Sequence, residues 1–137
     1  MPAGDWTYTV VGYESQGVYD LLLGINQFNE PPPAGKRYVR ARIRATWSGT
    51  GTGAPTFIQI NLVDSEQTIS ASVSPCCTPE SDELRDQPDV FAGASAEGWL
   101  YYTVNDATAD GRQLAFDPNV EYTDVPGGVG FFEVWVG

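Results

Sequence analysis

Four groups of residues in this 137-residue chain have types and spacings on which chemistry can be built. The first is Asp106, Thr108, Asp110 and Asp117, with Gly111 between the last two. These fall at the first, third, fifth and twelfth positions of a calcium-loop template, with glycine at the sixth. Threonine at the third position and aspartate at the twelfth weaken the match, and the flanks read as strands where an EF-hand needs helices. An Asp-Gly turn accounts for the same residues and is preferred, so neither a metal nor any other cofactor is expected. The second group is Cys76-Cys77, adjacent and with no third thiol in the chain. In an oxidising compartment a bridge between these neighbours is expected, although it needs a strained peptide geometry. Two free thiols or an intermolecular bridge are the alternatives.

The third group is Arg40, Arg42 and Arg44, spaced two apart. With Lys36 and Arg37 they make five of the seven basic residues, which leaves two bases against 18 acids elsewhere. Like charges on one strand face repel. Either they form a docking strip for an anionic ligand, such as an acidic glycan or a protein carboxylate cluster, or neighbouring acids neutralise them. Neutralisation by flanking strands and by the Glu80–Asp89 segment is favoured in so acidic a chain. The fourth group is aromatic. Trp99 and Tyr101 share one strand face, as do Trp6 and Tyr8, and exposed pairs of this kind stack on sugar rings. Core packing explains most such aromatics equally well and is preferred.

No histidine occurs, which removes Ser/His/Asp and Cys/His catalysis together with the usual zinc and copper sites. A two-carboxylate glycosidase is permitted by residue type, but nothing pairs two acids in an apolar setting. No catalytic residue is therefore named, and a non-enzymatic role is expected. A formal charge of −11 argues against nucleic acid and anionic membranes as partners. No stretch is long and apolar enough for a transmembrane helix. The N-terminus has no charged region followed by an apolar run, so no signal peptide is read there. Met1, the only methionine, is read as a start placed before a trimmed mature domain.

These residues must be positioned by short strands. Lys36–Trp47 alternates strictly, with Val39, Ala41, Ile43, Ala45 and Trp47 on one face and the three arginines on the other, which is a half-buried strand. Three prolines precede it and stop any earlier ladder. Asp5–Tyr13, Thr56–Val63, Gln67–Val73, Gly98–Val104, Arg112–Asp117 and Gly130–Val136 read as further strands. Val18–Ile25 reads as a short strand or covering loop, because Gly24 and so brief a run disfavour a helix. Ser48–Pro55 reads as a glycine-rich connection without the lysine of a phosphate loop. Ser74–Ser95 is a long irregular segment with one or two helical turns from Thr78-Pro79-Glu80 to near Arg85.

Three stretches in order resemble a known family: Gly4-Asp5-Trp6-Thr7-Tyr8-Thr9-Val10, then Pro33-Ala34-Gly35-Lys36-Arg37-Tyr38-Val39-Arg40-Ala41-Arg42-Ile43, then Val90-Phe91-Ala92-Gly93 leading to Glu97-Gly98-Trp99-Leu100-Tyr101-Tyr102-Thr103-Val104 and Leu114-Ala115-Phe116. Over Gly4–Asp117 the chain resembles the telokin-like extracellular domain of bacterial secreted proteins and lipoproteins, related to the mycobacterial immunoprotective secreted antigen. The resemblance implies an immunoglobulin-like sandwich, export, and a largely uncharacterised role with no catalytic residues. Relatives place one cysteine in the long loop and another in the Gly98 strand. Tyr101 stands in that strand here, so the chain departs from that bridge.

The resulting expectation is an all-β, immunoglobulin-like antiparallel β-sandwich of seven to nine strands, one domain over residues 1–137. Val39, Ala41, Ile43, Trp47, Ile58, Ile60, Leu62, Leu100, Tyr102, Val104, Leu114 and Phe116 are expected in its core. The functional expectation is a secreted or cell-surface bacterial binding module, a monomer or weak dimer, whose partner is a protein or, alternatively, a glycan stacked on exposed Trp and Tyr.

Overall fold

Twelve residues of strict alternation, Lys36–Trp47, form the central strand β2; the computed structural model describes residues 5–64, 66–78, 82–109, 114–117 and 121–122, the last two stretches as backbone. Preceding it are β1 (Trp6–Glu14) and a helix α1 (Val18–Ile25); following it are β3 (Thr52–Gly53), β4 (Asn61–Asp64), β5 (Ile69–Ser70), β6 (Val90–Phe91), β7 (Ser95–Asn105), β8 (Leu114–Asp117) and β9 (Glu121–Tyr122). The chain is thus mostly β. One sheet has the order β7-β2-β1-β9, a second β5-β4-β8, and β3 pairs with β6. All these pairings are antiparallel except β1 with β9.

The inner face of the four-stranded sheet carries the core. Val39, Ala41, Ile43 and Ala45 of β2 pack with Tyr8, Val10 and Tyr13 of β1 and Leu100, Tyr102 and Val104 of β7 against Ile58, Ile60 and Leu62. Two tyrosine hydroxyls stitch this layer to the segments facing it: Tyr102 donates to the Ile60 carbonyl and Tyr13 to that of Ala109, each at 2.7 Å. A buried hydroxyl without a partner would cost free energy, so the bonds also fix where those segments lie. Of the twelve residues expected in the core, ten are buried. Leu114 and Phe116 belong to β8, described as backbone.

A bulge in β1 resets the alternation. Val10 pairs with Ile43 and Gly12 with Arg42, so Val11 is the extra residue. Tyr13 thereby reaches the inner face and Glu14 the outer one, opposite Arg40. Without the insertion both would point the wrong way.

Glycine explains two close approaches. A Cβ on Gly98 would lie 2.5 Å from the Leu84 backbone nitrogen, so only glycine lets the 83–84 segment cross β7 and drive fully buried Leu84 into the core. Trp47 is gripped likewise: a Cβ on Gly53 or Gly49 would fall 2.5 or 2.4 Å from its ring, and Trp6 meets it edge-on at 5.0 Å. The glycine-rich connection is therefore a wrapping around an indole as well as a loop, and it contributes β3.

Several expectations need correction. Val18–Ile25 is a helix, not a strand or loop. Val18 and Leu22, four apart, bury against Tyr101 on the outer face of the sheet, and that packing outweighs the roughly 1 kcal/mol that Gly24 costs in a helix. Within Thr56–Val63 the ladder begins only at Asn61, because Pro55 opens a 3-10 turn through Phe57. Ile58 and Ile60 still alternate inward without pairing. Gln67–Val73 pairs only at Ile69–Ser70, with an isolated bridge from Val73 to Tyr101. Among the described residues of the long segment, a 3-10 turn spans Leu84–Asp86. The helix start proposed there and the strand expected over Gly130–Val136 involve residues outside those described.

Gly98→Ala is expected to lose about 1–3 kcal/mol of stability through the clash with Leu84, whereas Gly24→Ala, with open space at its Cβ, gains about 0.5–1 kcal/mol. Urea unfolding of the two variants against the parent checks both signs.

Candidate functional site

The outer face of β2 and β7 gathers most of the residues singled out above. Alternation puts Tyr38, Arg40, Arg42 and Arg44 on it, and pairing places Arg40 beside Tyr101, Arg42 beside Trp99 and Arg44 beside Glu97. Each arginine has a carboxylate within 4 Å. Arg40 donates from Nε to Glu14 Oε1 at 2.6 Å and approaches Asp82 at 3.6 Å. Arg42 donates to Glu97 Oε2 at 2.6 Å and also reaches Asp82. Arg44 donates to the second oxygen of Glu97 at 3.1 Å. The acids thus come from β1, β7 and the segment before Leu84, the arrangement that neutralisation requires and a free docking strip does not.

Arg40 is the most enclosed of the three, its side chain 11% exposed. Its guanidinium lies 3.9 Å from the Trp99 ring centroid and donates to the Tyr101 hydroxyl at 3.2 Å. Burial works against its charge, but the bonds to Glu14 and Tyr101 outweigh that and hold its pKa above the ordinary value. Arg42 and Arg44 lower the Glu97 carboxyl, with the Arg42 hydrogen bond the largest cause. Glu83 moves the other way, raised by burial.

This arrangement decides the aromatic candidates. Tyr101 is fully buried beneath α1, and half-buried Trp99 lies beneath Arg40. They form no open platform. Of the calcium candidates, Asp106 pairs with Arg37 at 2.9 Å, and Thr108 donates to buried Asp64 at 2.8 Å, both within a 3-10 turn. Asp110 lies outside the described residues, and Asp117 is described as backbone. Among the described residues no three His, Cys, Asp or Glu side chains cluster for a metal ion.

What the sequence reading missed lies at the other end of the same face. Tyr38, half-buried against α1 and 5.9 Å from the Tyr19 ring, separates two open recesses. One, of about 300 Å³, has Gln16, Tyr19, Asp20, Pro32 and Asp106 in its lining. The other, of about 310 Å³, has Phe28, Glu30, Pro75 and Cys76. Phe28 in that lining is 75% exposed. Tyr38 donates to the Glu30 carbonyl at 3.0 Å, and burial followed by the neighbouring Tyr19 and Glu30 raises its pKa.

The second recess ends at the cysteines, whose sulfurs are 2.7 Å apart as free thiols. Their backbone is held by Asn29, 3% exposed, whose amide donates to the Cys77 carbonyl at 2.9 Å and to Leu22 at 2.8 Å and accepts from the Cys77 N–H at 3.3 Å. The polar spacing of Asn26 and Asn29 just past an apolar run was the one available signal for this clamp.

The lowered Glu97 pKa gives a pH signature. Its ionised form is favoured by folding, so its stabilisation is fully present above the ordinary carboxyl value and is lost as pH falls through the lowered one. Glu97→Gln is expected to cost about 0–1 kcal/mol near neutrality and to converge with the parent as pH falls below the lowered Glu97 value, as followed by thermal unfolding across pH.

No family model and no curated protein matches the chain. Among solved structures it is similar to a functionally unknown protein from Listeria monocytogenes EGD-e, with 17% identity and a TM-score of 0.39. The match covers 58% of this chain and 45% of that one, so the chain spans less than half of its length.

Proposed function

We propose that this protein is a non-catalytic binding module, exported to the bacterial surface or medium, which uses an immunoglobulin-like sandwich of the telokin-like kind to hold a protein partner. The occupant of the site is an extended segment of that partner that carries lysine or arginine beside apolar side chains. The observation that carries this reading is Tyr38, which lines two recesses that each hold a second aromatic and at least one acidic residue. Tyr19, Tyr38 and Phe28 offer flat apolar surface, while Asp20 and Glu30 supply negative charge on a chain of net −11, Asp106 in the same lining being paired with Arg37. Aromatic anchors with complementary charge are what a protein interface uses for affinity and steering. The absence of histidine supports a non-enzymatic role. The sugar-binding alternative rested on Trp99 with Tyr101 and on Trp6 with Tyr8; Arg40 and α1 cover the first pair, and in the second Tyr8 is buried and Trp6 packs on Trp47.

Phage-displayed random peptides selected on the folded protein, with an array of neutral and acidic glycans run in parallel, test the reading. Basic sequences with apolar residues are expected to be enriched, and their binding should weaken with salt. Phe28→Ser, at an exposed position, should reduce it by about tenfold, as loss of an aromatic anchor does. Glycan binding that depends on Phe28, or peptides enriched without positive charge, would overturn it.

A further inference from the structure

We infer that Cys76 and Cys77 form a reversible dithiol–disulfide site, closed by exchange with a small-molecule disulfide such as oxidised glutathione, and that Asn29 couples its state to the recess beside Tyr38. The second half rests on that recess being the binding site; the first does not.

Proximity comes first. The two sulfurs lie 2.7 Å apart, Cys76 is exposed and Cys77 half-buried, so an incoming disulfide reaches one thiol while the other waits beside it. The pair also sits on a backbone held on both sides. Upstream, the Val73 N–H donates to the Tyr101 carbonyl at 2.7 Å. Downstream, Thr78 donates to Glu83 at 3.1 Å. Between them the buried Asn29 amide takes both backbone groups of Cys77. Ring closure must twist the peptide between the two cysteines, and a backbone held at these points passes that change to Asn29.

The chemistry balances without another reactant. The Cys76 thiol, its pKa pushed up to about 11 chiefly by the hydrogen bond with Cys77, loses its proton at alkaline pH and attacks one sulfur of glutathione disulfide, expelling one glutathione thiolate. The Cys77 thiolate then attacks Cys76 in the mixed disulfide and expels the second. Two protons leave the protein thiols and end on two molecules of glutathione, while two electrons pass to the small molecule. A bridge between neighbours closes almost no chain, so it adds little to stability by constraining the unfolded state. Strained bridges are also the easily reduced ones. Such a bond is suited to switching, and its nearest targets are the lining groups Phe28, Glu30 and Tyr38.

Intact mass after alkylation, on protein equilibrated across reduced-to-oxidised glutathione ratios, tests the first half. The expected result is a monomer lighter by two hydrogens with no alkylated cysteine at the oxidising end, converting to two alkylated cysteines at the reducing end. Two alkylated cysteines at every ratio, a stable mixed disulfide, or a covalent dimer would each refute it. Amide chemical shifts of Phe28, Asn29 and Tyr38, compared between the two states by NMR, test the coupling, and unchanged shifts would refute it. Asn29→Asp keeps the acceptor and loses the amide donors. It should move the midpoint ratio by about threefold or more, as one hydrogen bond permits. An unmoved midpoint in a folded variant would remove Asn29 from the device.

Discussion

Three guanidinium groups two residues apart on one face of a central strand impose the constraint around which the rest is arranged. Successive same-face side chains are about 7 Å apart, so their charges interact unless something intervenes. The strand cannot avoid the problem by slipping in register, because a shift of one residue would put Val39, Ala41 and Ile43 into water and the arginines into the core. Carboxylates must therefore be delivered to fixed places. The β1 bulge turns Glu14 outward, the register of β7 brings Glu97 between Arg42 and Arg44, and Gly98 lets the chain cross so that Asp82 reaches both Arg40 and Arg42. Each exposed pair contributes little to stability. Together they determine where three separate segments lie.

The same requirement divides the outer face. Among the described residues, its middle is occupied by ion pairs and by the stacking of Arg40 on Trp99. Toward the start of β2, α1 covers Tyr101, and Tyr38 lines two open recesses. The residues most conspicuous for binding are thus consumed in construction. Recognition falls to residues whose own spacing gives no sign of it.

How far the sequence was readable follows from the range of the interactions. Alternation is local, so the strand from Lys36 to Trp47, its buried face and the ten described core positions were legible from side-chain order alone. The need for counter-charges was legible from composition, though not which acids supply them, since Glu14, Asp82 and Glu97 are brought in by a bulge and a crossover. Helix α1 was misread because its eight residues are held by Val18 and Leu22 meeting Tyr101, more than seventy positions away. Asn29 is similar: an asparagine after an apolar run reads as a turn, and its grip on Cys77 appears only in three dimensions.

The crossing at Gly98 also determines what the outer margin of β7 can do. A strand with one side unpaired is a template on which another chain can add. Here Val73 bridges to Tyr101 and Glu83 to Trp99, and the Trp99 N–H is taken by the Asp82 carbonyl. The longest apolar strand margin in the sheet is thereby occupied at its middle by short irregular segments that present no continuous ladder of their own. Lost contact at Gly98 or Leu84 would unmask a stretch running through Trp99, Leu100, Tyr101 and Tyr102, whose composition favours intermolecular β-stacking. The glycine thus keeps the middle of this edge covered by segments that offer no further strand a ladder.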